Sequence, residues 1–205
     1  MCQKIDSSFF IRLALMDYRD VCRRSLSEFD VEKKIYRVTA FGQDYEVDPA
    51  LRDIYPLESE EKPVSTELGL LIVFYLLRSR DIPLAKKWVN EFSLKGGAMF
   101  FRGPHAIRSK EIAGRFGNDV DGFKEVCYEL GGQPVDMGDA AFRFQVLPRI
   151  PILVVLWYGD DEFEASAKLL MDETIDQHLP LDVIYAMAVE LIGMLLGSSR
   201  RRKSE

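Results

Sequence analysis

Carboxylates crowd into one stretch of the chain, where Asp160, Asp161, Glu162 and Glu164 follow directly on Trp157-Tyr158-Gly159, with Asp172 a little further on. Brought together, such side chains hold a hard cation through oxygen or supply an acid–base pair. The spacing lacks an EF-hand pattern, and Gly159-Asp160 is also what an ordinary solvated turn requires, so the turn is the plainer reading. Trp157 and Tyr158 offer an aromatic wall for a ligand, although neighbours along a strand point to opposite faces and one of them must pack inward. A second group is Lys95-Gly-Gly-Ala-Met-Phe-Phe-Arg102-Gly-Pro-His105, in which glycine-rich amides beside Lys95, Arg102 and His105 suit an anionic ligand. It has no phosphate-loop signature, which leaves a plain loop as the simpler reading. His105 and His178 are the only histidines, and no Gly-x-Ser-x-Gly elbow accompanies them. The candidate ligand-binding set is therefore Trp157, Asp161, Glu162, Asp172, Arg102 and His105, with no catalytic residue, metal ligand or cofactor assigned.

The elements that must position these residues are readable from periodicity and punctuation. Ile152 to Tyr158, β-branched and aromatic between Pro151 and Gly159, reads as a buried strand. Phe142 to Leu147 reads as its partner across a Pro148-Arg-Ile-Pro link. Residues Ala165 to Leu170 alternate weakly, leaving strand and helix both open. Upstream, helical spacing runs from about Ser8 to Phe29. Lys34 to Phe41 and Asp44 to Val47, around Gly42, form a hairpin. Asp48-Pro49 fits a helix start leading into a short helical piece over Ala50 to Tyr55. After a charged loop from Pro56 to Val64, Ser65 or Thr66 caps a helix that is apolar on nearly every side and ends near Arg78 to Asp81. Trp88 to Phe92 looks extended and Gly96-Gly97 a loop. Two short helices follow, from Ser109 to Phe116 closed by Gly117, and from Asp119 to Leu130 ended by Gly131-Gly132. A last helix covers Leu181 to Leu196. Strands at both ends with helices between and after them predict an α+β fold, with one antiparallel or mixed sheet, in a single domain over residues 1–197 and a disordered basic tail over 198–205.

Charge and composition narrow the partners. With 27 basic against 33 acidic residues the net charge is −6, which disfavours nucleic acid, since phosphate backbones are bound by clustered Lys and Arg. No secretory leader or membrane-length apolar run is visible, so a cytoplasmic protein with no membrane partner is expected. Cys2, Cys22 and Cys127 are odd in number and widely spaced, and read as reduced thiols. Val189, Ile192 and Leu196 exceed what one buried helix face needs, which opens homo-oligomerisation through the last helix.

The succession Tyr36-Arg-Val-Thr-Ala-Phe-Gly-Gln-Asp-Tyr-Glu-Val, Glu67-Leu-Gly-Leu-Leu-Ile-Val-Phe-Tyr-Leu-Leu, Phe116-Gly, Leu130-Gly-Gly, Leu147-Pro-Arg-Ile-Pro and Leu156-Trp-Tyr-Gly-Asp-Asp-Glu-Phe-Glu-Ala resembles an uncharacterised prokaryotic family of domains of unknown function. Some members of that family carry cysteine-rich iron–sulfur segments, and the resemblance implies a link to anaerobic redox or one-carbon metabolism; this chain lacks those cysteines. Two functions follow. One is a non-catalytic accessory domain binding a small molecule or partner near Trp157, Asp161 and Glu162. The other is an enzyme using Asp161, Glu162 or Asp172 as acid or base, with Arg102 or His105 holding an anion. Convergence of these residues in one cleft separates the two.

Overall fold

The computed structural model describes residues 5–57 and 64–201, with side chains described as far as Gly197. Two antiparallel sheets are present among them, so the α+β expectation holds but the one sheet expected is two, because the strands of the first pair only among themselves. The first sheet is a meander of β1 (Glu28–Asp30), β2 (Ile35–Ala40), β3 (Gln43–Asp48) and β4 (Asp53–Pro56). The second comprises β5 (Trp88–Val89), β6 (Gln133–Val135), β7 (Ala140–Leu147), β8 (Ile150–Trp157) and β9 (Ser166–Asp172), in the order β5-β9-β8-β7-β6. The backbone N–H of Phe41 donates to the carbonyl of Val146 at 2.9 Å and ties one sheet to the other.

The predicted hairpin is β2–β3, with Tyr36 opposite Val47 and Ala40 opposite Gln43. The long helix expected at the start is two, α1 (Ser7–Ala14) and α2 (Tyr18–Ser25). Asp17 breaks the run because its carboxylate accepts the Arg19 N–H as an N-cap, so the chain restarts there. Leu26, at φ 54°, then turns the chain out of α2, and Phe29 belongs to β1. Asp48 behaves as the expected cap, accepting the amides of Ala50 and Leu51 at 2.8 and 2.9 Å. No helix follows. Arg52 takes a left-handed φ of 59°, the chain reverses, and Asp53–Pro56 pairs back onto β3 as β4. Ser65 caps α3 (Thr66–Arg78) through the Leu68 amide, as expected.

Only Trp88–Val89 of the stretch Trp88 to Phe92 is strand, because Asn90 caps a 3-10 turn over Glu91–Ser93. The Gly96-Gly97 loop opens a single helical turn, α4 (Gly97–Phe100). Next come α5 (Ser109–Phe116) and α6 (Val120–Glu129), the latter capped by Asp119. The open choice over residues 165–170 resolves to strand, since β8 supplies a partner for every residue from Ser166 to Met171. After α7 (Ile175–His178), the last helix, α8, runs Leu181–Arg201. The basic tail expected from residue 198 has its side chains outside the described residues.

One buried cluster reaches from Phe10 and Leu13 through α3, both sheets and α8 to Leu195. A smaller one, Ala141, Leu153 and Val155, lies apart from it and is packed by Trp88, Met137, Trp157 and Leu170. β8 is buried along nearly its whole length because both its faces are covered, which is why its sequence is a continuous apolar run.

Candidate ligand-binding cleft

The acidic corner is a closed turn. Asp160 accepts the amides of Glu162 and Phe163 at 2.9 and 2.7 Å on one carboxylate oxygen, and its own N–H donates to the Phe163 carbonyl at 2.9 Å. That fixes Asp160 as the turn residue and leaves Asp161 and Glu162 exposed. Gly159 packs tightly there, since a Cβ on it would approach the Ala165 amide to 3.1 Å. Ala165 in turn stands so close to Gly117 that a Cβ on Gly117 would collide with its methyl group. The motif residues Phe116-Gly117 and Gly159 to Ala165 thus lock the end of α5 onto the corner. Trp157 does not face this junction. It packs with Leu170 in the small second cluster, and the Lys168 ammonium lies 5.6 Å from its ring centroid.

The other members of the candidate set lie elsewhere. Asp172 is at the opposite end of β9, roughly 20 Å from the corner at about 3.4 Å per strand residue. Its buried carboxylate accepts from the Thr174 hydroxyl (2.6 Å) and from the amides of Thr174 (3.1 Å), Ala85 (3.0 Å) and Lys86 (2.8 Å). Burial pushes its pKa up, but these hydrogen bonds outweigh burial and hold it below the ordinary carboxylate value. It anchors the segment before β5. Arg102 and His105 are exposed; the His105 ring stacks on Phe100 with centroids 4.7 Å apart and meets the edge of Tyr185 at 5.5 Å. The glycine-rich amides there are already used, since those of Gly97, Met99, Phe100 and Phe101 donate to carbonyls of Leu94, Gly96 and Gly97. Trp157, Asp161, Glu162, Asp172, Arg102 and His105 therefore share no single cleft.

The concavity lies beside them. A cleft of about 680 Å³ runs between α5 and β9 and is bounded at its rim by Asn90, Glu91 and Phe92. Small residues line it: Ala113 and Gly114 on α5, Gly117 just past its end, and Ala165 and Ala167; a Cβ on Gly117 would strike the Ala165 methyl, whereas one on Gly114 would meet nothing within 4 Å. Four consecutive residues of β9, Ser166 to Leu169, line its floor. Of the corner's acids, Glu164 reaches the lining. Amides of Asn90 and Asn118, hydroxyls of Ser109 and Ser166, and charges of both signs at Glu91, Glu164, Lys110 and Lys168 stand among the apolar lining of Phe92, Ile107, Ala113 and Leu169. A few polar groups over an apolar base are the usual make-up of a recognition site. Among the described residues no cluster of three or more His, Cys, Asp or Glu is disposed to hold a metal ion.

Two further residues take roles that the local sequence does not announce: Arg149, which no motif singles out, and His178, one of the two histidines, for which a surface or capping role is the plainer expectation. Arg149, in the Pro148-Arg-Ile-Pro link, donates to the carbonyls of Arg24 (2.7 Å), Ile82 (3.3 Å) and Arg23 (3.3 Å) and pairs with Asp81 at 2.6 Å. One side chain thus joins the β7–β8 turn to α2 and to the end of α3. His178 is buried, and its Nδ1 accepts the Arg80 amide at 3.2 Å, which puts its proton on Nε2, an atom with no partner among the described residues. Burial, then Arg149 and Arg80, bring its pKa down to about 4, against the opposing pull of Asp172. A lone arginine between prolines and a histidine before Leu-Pro carry no spacing signal, so only the fold reveals what they do.

Among the described residues no helix is long and apolar enough to cross a membrane. Residues 17–194 match the family described as Domain of unknown function (DUF3786), and the chain belongs to it. No curated protein and no solved structure matches it.

Proposed function

We propose that this member of the DUF3786 family is a cytoplasmic, non-catalytic accessory domain whose cleft between α5 and β9 binds a small molecule or a segment of a partner. The observation that carries the reading is the cleft itself, lined by the small residues Ala113, Gly114 and Gly117 and by polar and charged groups of both signs. The separation of Asp172 from Asp161 and Glu162 speaks against the enzymatic alternative, because an acid–base pair acts only where both groups reach one substrate. The resemblance extends the proposal to an accessory role in anaerobic redox or one-carbon metabolism.

Native mass spectrometry of freshly purified protein, prepared anaerobically beside a Gly114→Trp variant, tests the binding role. The indole fills the cleft from an exposed helix position where space is open. A molecule retained by the wild type and absent from the variant is the expected result. Equal retention by both proteins would remove the cleft from consideration.

A further inference from the structure

β9 has one edge without a partner for most of its length. On one side it pairs with β8 from Ser166 to Met171. On the other side β5 is two residues long and reaches only Met171 and Asp172. Beyond that pairing the Glu173 amide donates outward to the Lys87 carbonyl at 3.0 Å. In an antiparallel ladder the N–H and C=O of one residue point to the same side, and that side alternates from residue to residue. Met171, Leu169 and Ala167 therefore turn their main-chain groups the same way as Glu173, away from β8. Val89 meets Met171. For Ala167 and Leu169 no hydrogen bond to any other described residue fills the place.

That open edge lies in the floor of the cleft, which Ser166, Ala167, Lys168 and Leu169 line in unbroken succession. A ligand that presents its own N–H and C=O groups at strand spacing satisfies such an edge. We propose that the occupant of the cleft is an extended segment of a partner polypeptide, added to β9 as a further strand along Ser166 to Leu170, where β5 stops. The inference rests on reading the cleft as a binding site and names its ligand class.

Two features favour a peptide over a second copy of this chain or an anionic metabolite. Glu91, Glu164, Lys110 and Lys168 line the cleft with no salt bridge among the described residues, and this mixture suits a chain carrying both signs better than an anion. The edge is also recessed between α5 and Asn90–Phe92. A single extended chain enters there, whereas a second folded copy brings its own α5 and Asn90–Phe92 beside its β9 and meets wall with wall. Left uncovered, the same edge would be a hazard for aggregation, which recessing it mitigates.

The test pans a phage-displayed library of random decapeptides on the intact protein. A selected peptide, made synthetically, is then added to ¹⁵N-labelled protein while amide exchange is followed. At about ten times its Kd the peptide should slow exchange at Ala167 and Leu169 by about tenfold. The same peptide N-methylated at alternate residues should not bind. Ala167→Pro, which removes an outward N–H and leaves the β8 ladder bonded, should weaken binding by about tenfold or more. If the N-methylated peptide binds as well as its parent and the two amides are unaffected, strand addition is wrong while the cleft stands. If panning yields no cleft-binding peptide but a fragment library still perturbs Gly114 and Ser166 to Leu169, the ligand is a small molecule and the peptide proposal falls alone. Failure of both libraries removes the binding site as well. Protection of Ala167 and Leu169 that grows with protein concentration, without peptide, would make the occupant a second copy and overturn the proposal.

Discussion

Asp172 and His178 are the residues where burial and charge meet most sharply, and each predicts a stability effect. Asp172→Asn replaces an oxygen that accepts main-chain N–H groups with an amide nitrogen that cannot, so it should cost about 2 kcal/mol at neutral pH. The folded carboxyl titrates below its ordinary value of 3.8, so its contribution is fully present above the unfolded pKa and is lost as pH falls through the lower folded value. Urea midpoints should therefore separate the two proteins at pH 7 and converge in strong acid. His178 behaves differently. Its folded pKa, about 4, lies below the ordinary 6.5, so between those values the unfolded chain takes up a proton that the folded protein refuses. Stability should be complete above about pH 6.5 and decline toward pH 4, and His178→Gln should flatten that decline. An unchanged slope in the variant would mean that His178 does not set it. At this scale the sequence is legible only where the chemistry is local. Asp160 was legible as a turn residue because Gly-Asp is turn chemistry, whereas the role of Asp172 depends on amides of Ala85 and Lys86 far upstream, which no local pattern announces.

At the scale of elements, the junction of α5 with the β8–β9 corner is built from absent atoms. Gly117 sits at φ −61°, which any residue adopts, so its glycine is needed for contact and not for conformation. Gly117→Ala should cost about 1–3 kcal/mol by forcing its methyl against Ala165 and the Ala113 carbonyl. Ala165→Gly should return part of that loss, and a double-mutant cycle in denaturant would show coupling between the two positions. Purely additive losses would place the cost elsewhere. The cleft escaped the sequence reading for the same reason: Ala113, Gly114, Gly117, Ala165 and Ala167 carry no reactive group. The hairpin and the capped helices were legible because Gly42, Ser65 and Asp119 act locally. The break at Asp17 and the reversal at Arg52 were not. There the same cap chemistry serves a short helix in one case and a turn in the other, and the choice depends on whether the next segment has a strand to pair with.

For the whole molecule, the continuous core that joins both sheets predicts cooperative unfolding. The main cluster of buried residues reaches from Phe10 to Leu195 and includes residues of both sheets, so near- and far-ultraviolet circular dichroism should report a single coincident denaturant transition. Two resolved transitions would mean that the meander of β1 to β4 unfolds on its own. The sheet order also explains why the cleft exists. Because β5 covers only one end of β9, the rest of that strand and the small residues of α5 are left facing a concavity. The most direct measurement of that assignment is a fragment screen by ¹H–¹⁵N correlation spectra on the wild type and on Gly114→Trp. Hits should shift Gly114, Gly117, Asn118 and Ser166 to Leu169 in the wild type and leave the variant unmoved. Hits gathered instead at Asp161 and Glu162, or at Arg102 and His105, and equal in both proteins, would contradict the assignment of the binding site to this cleft.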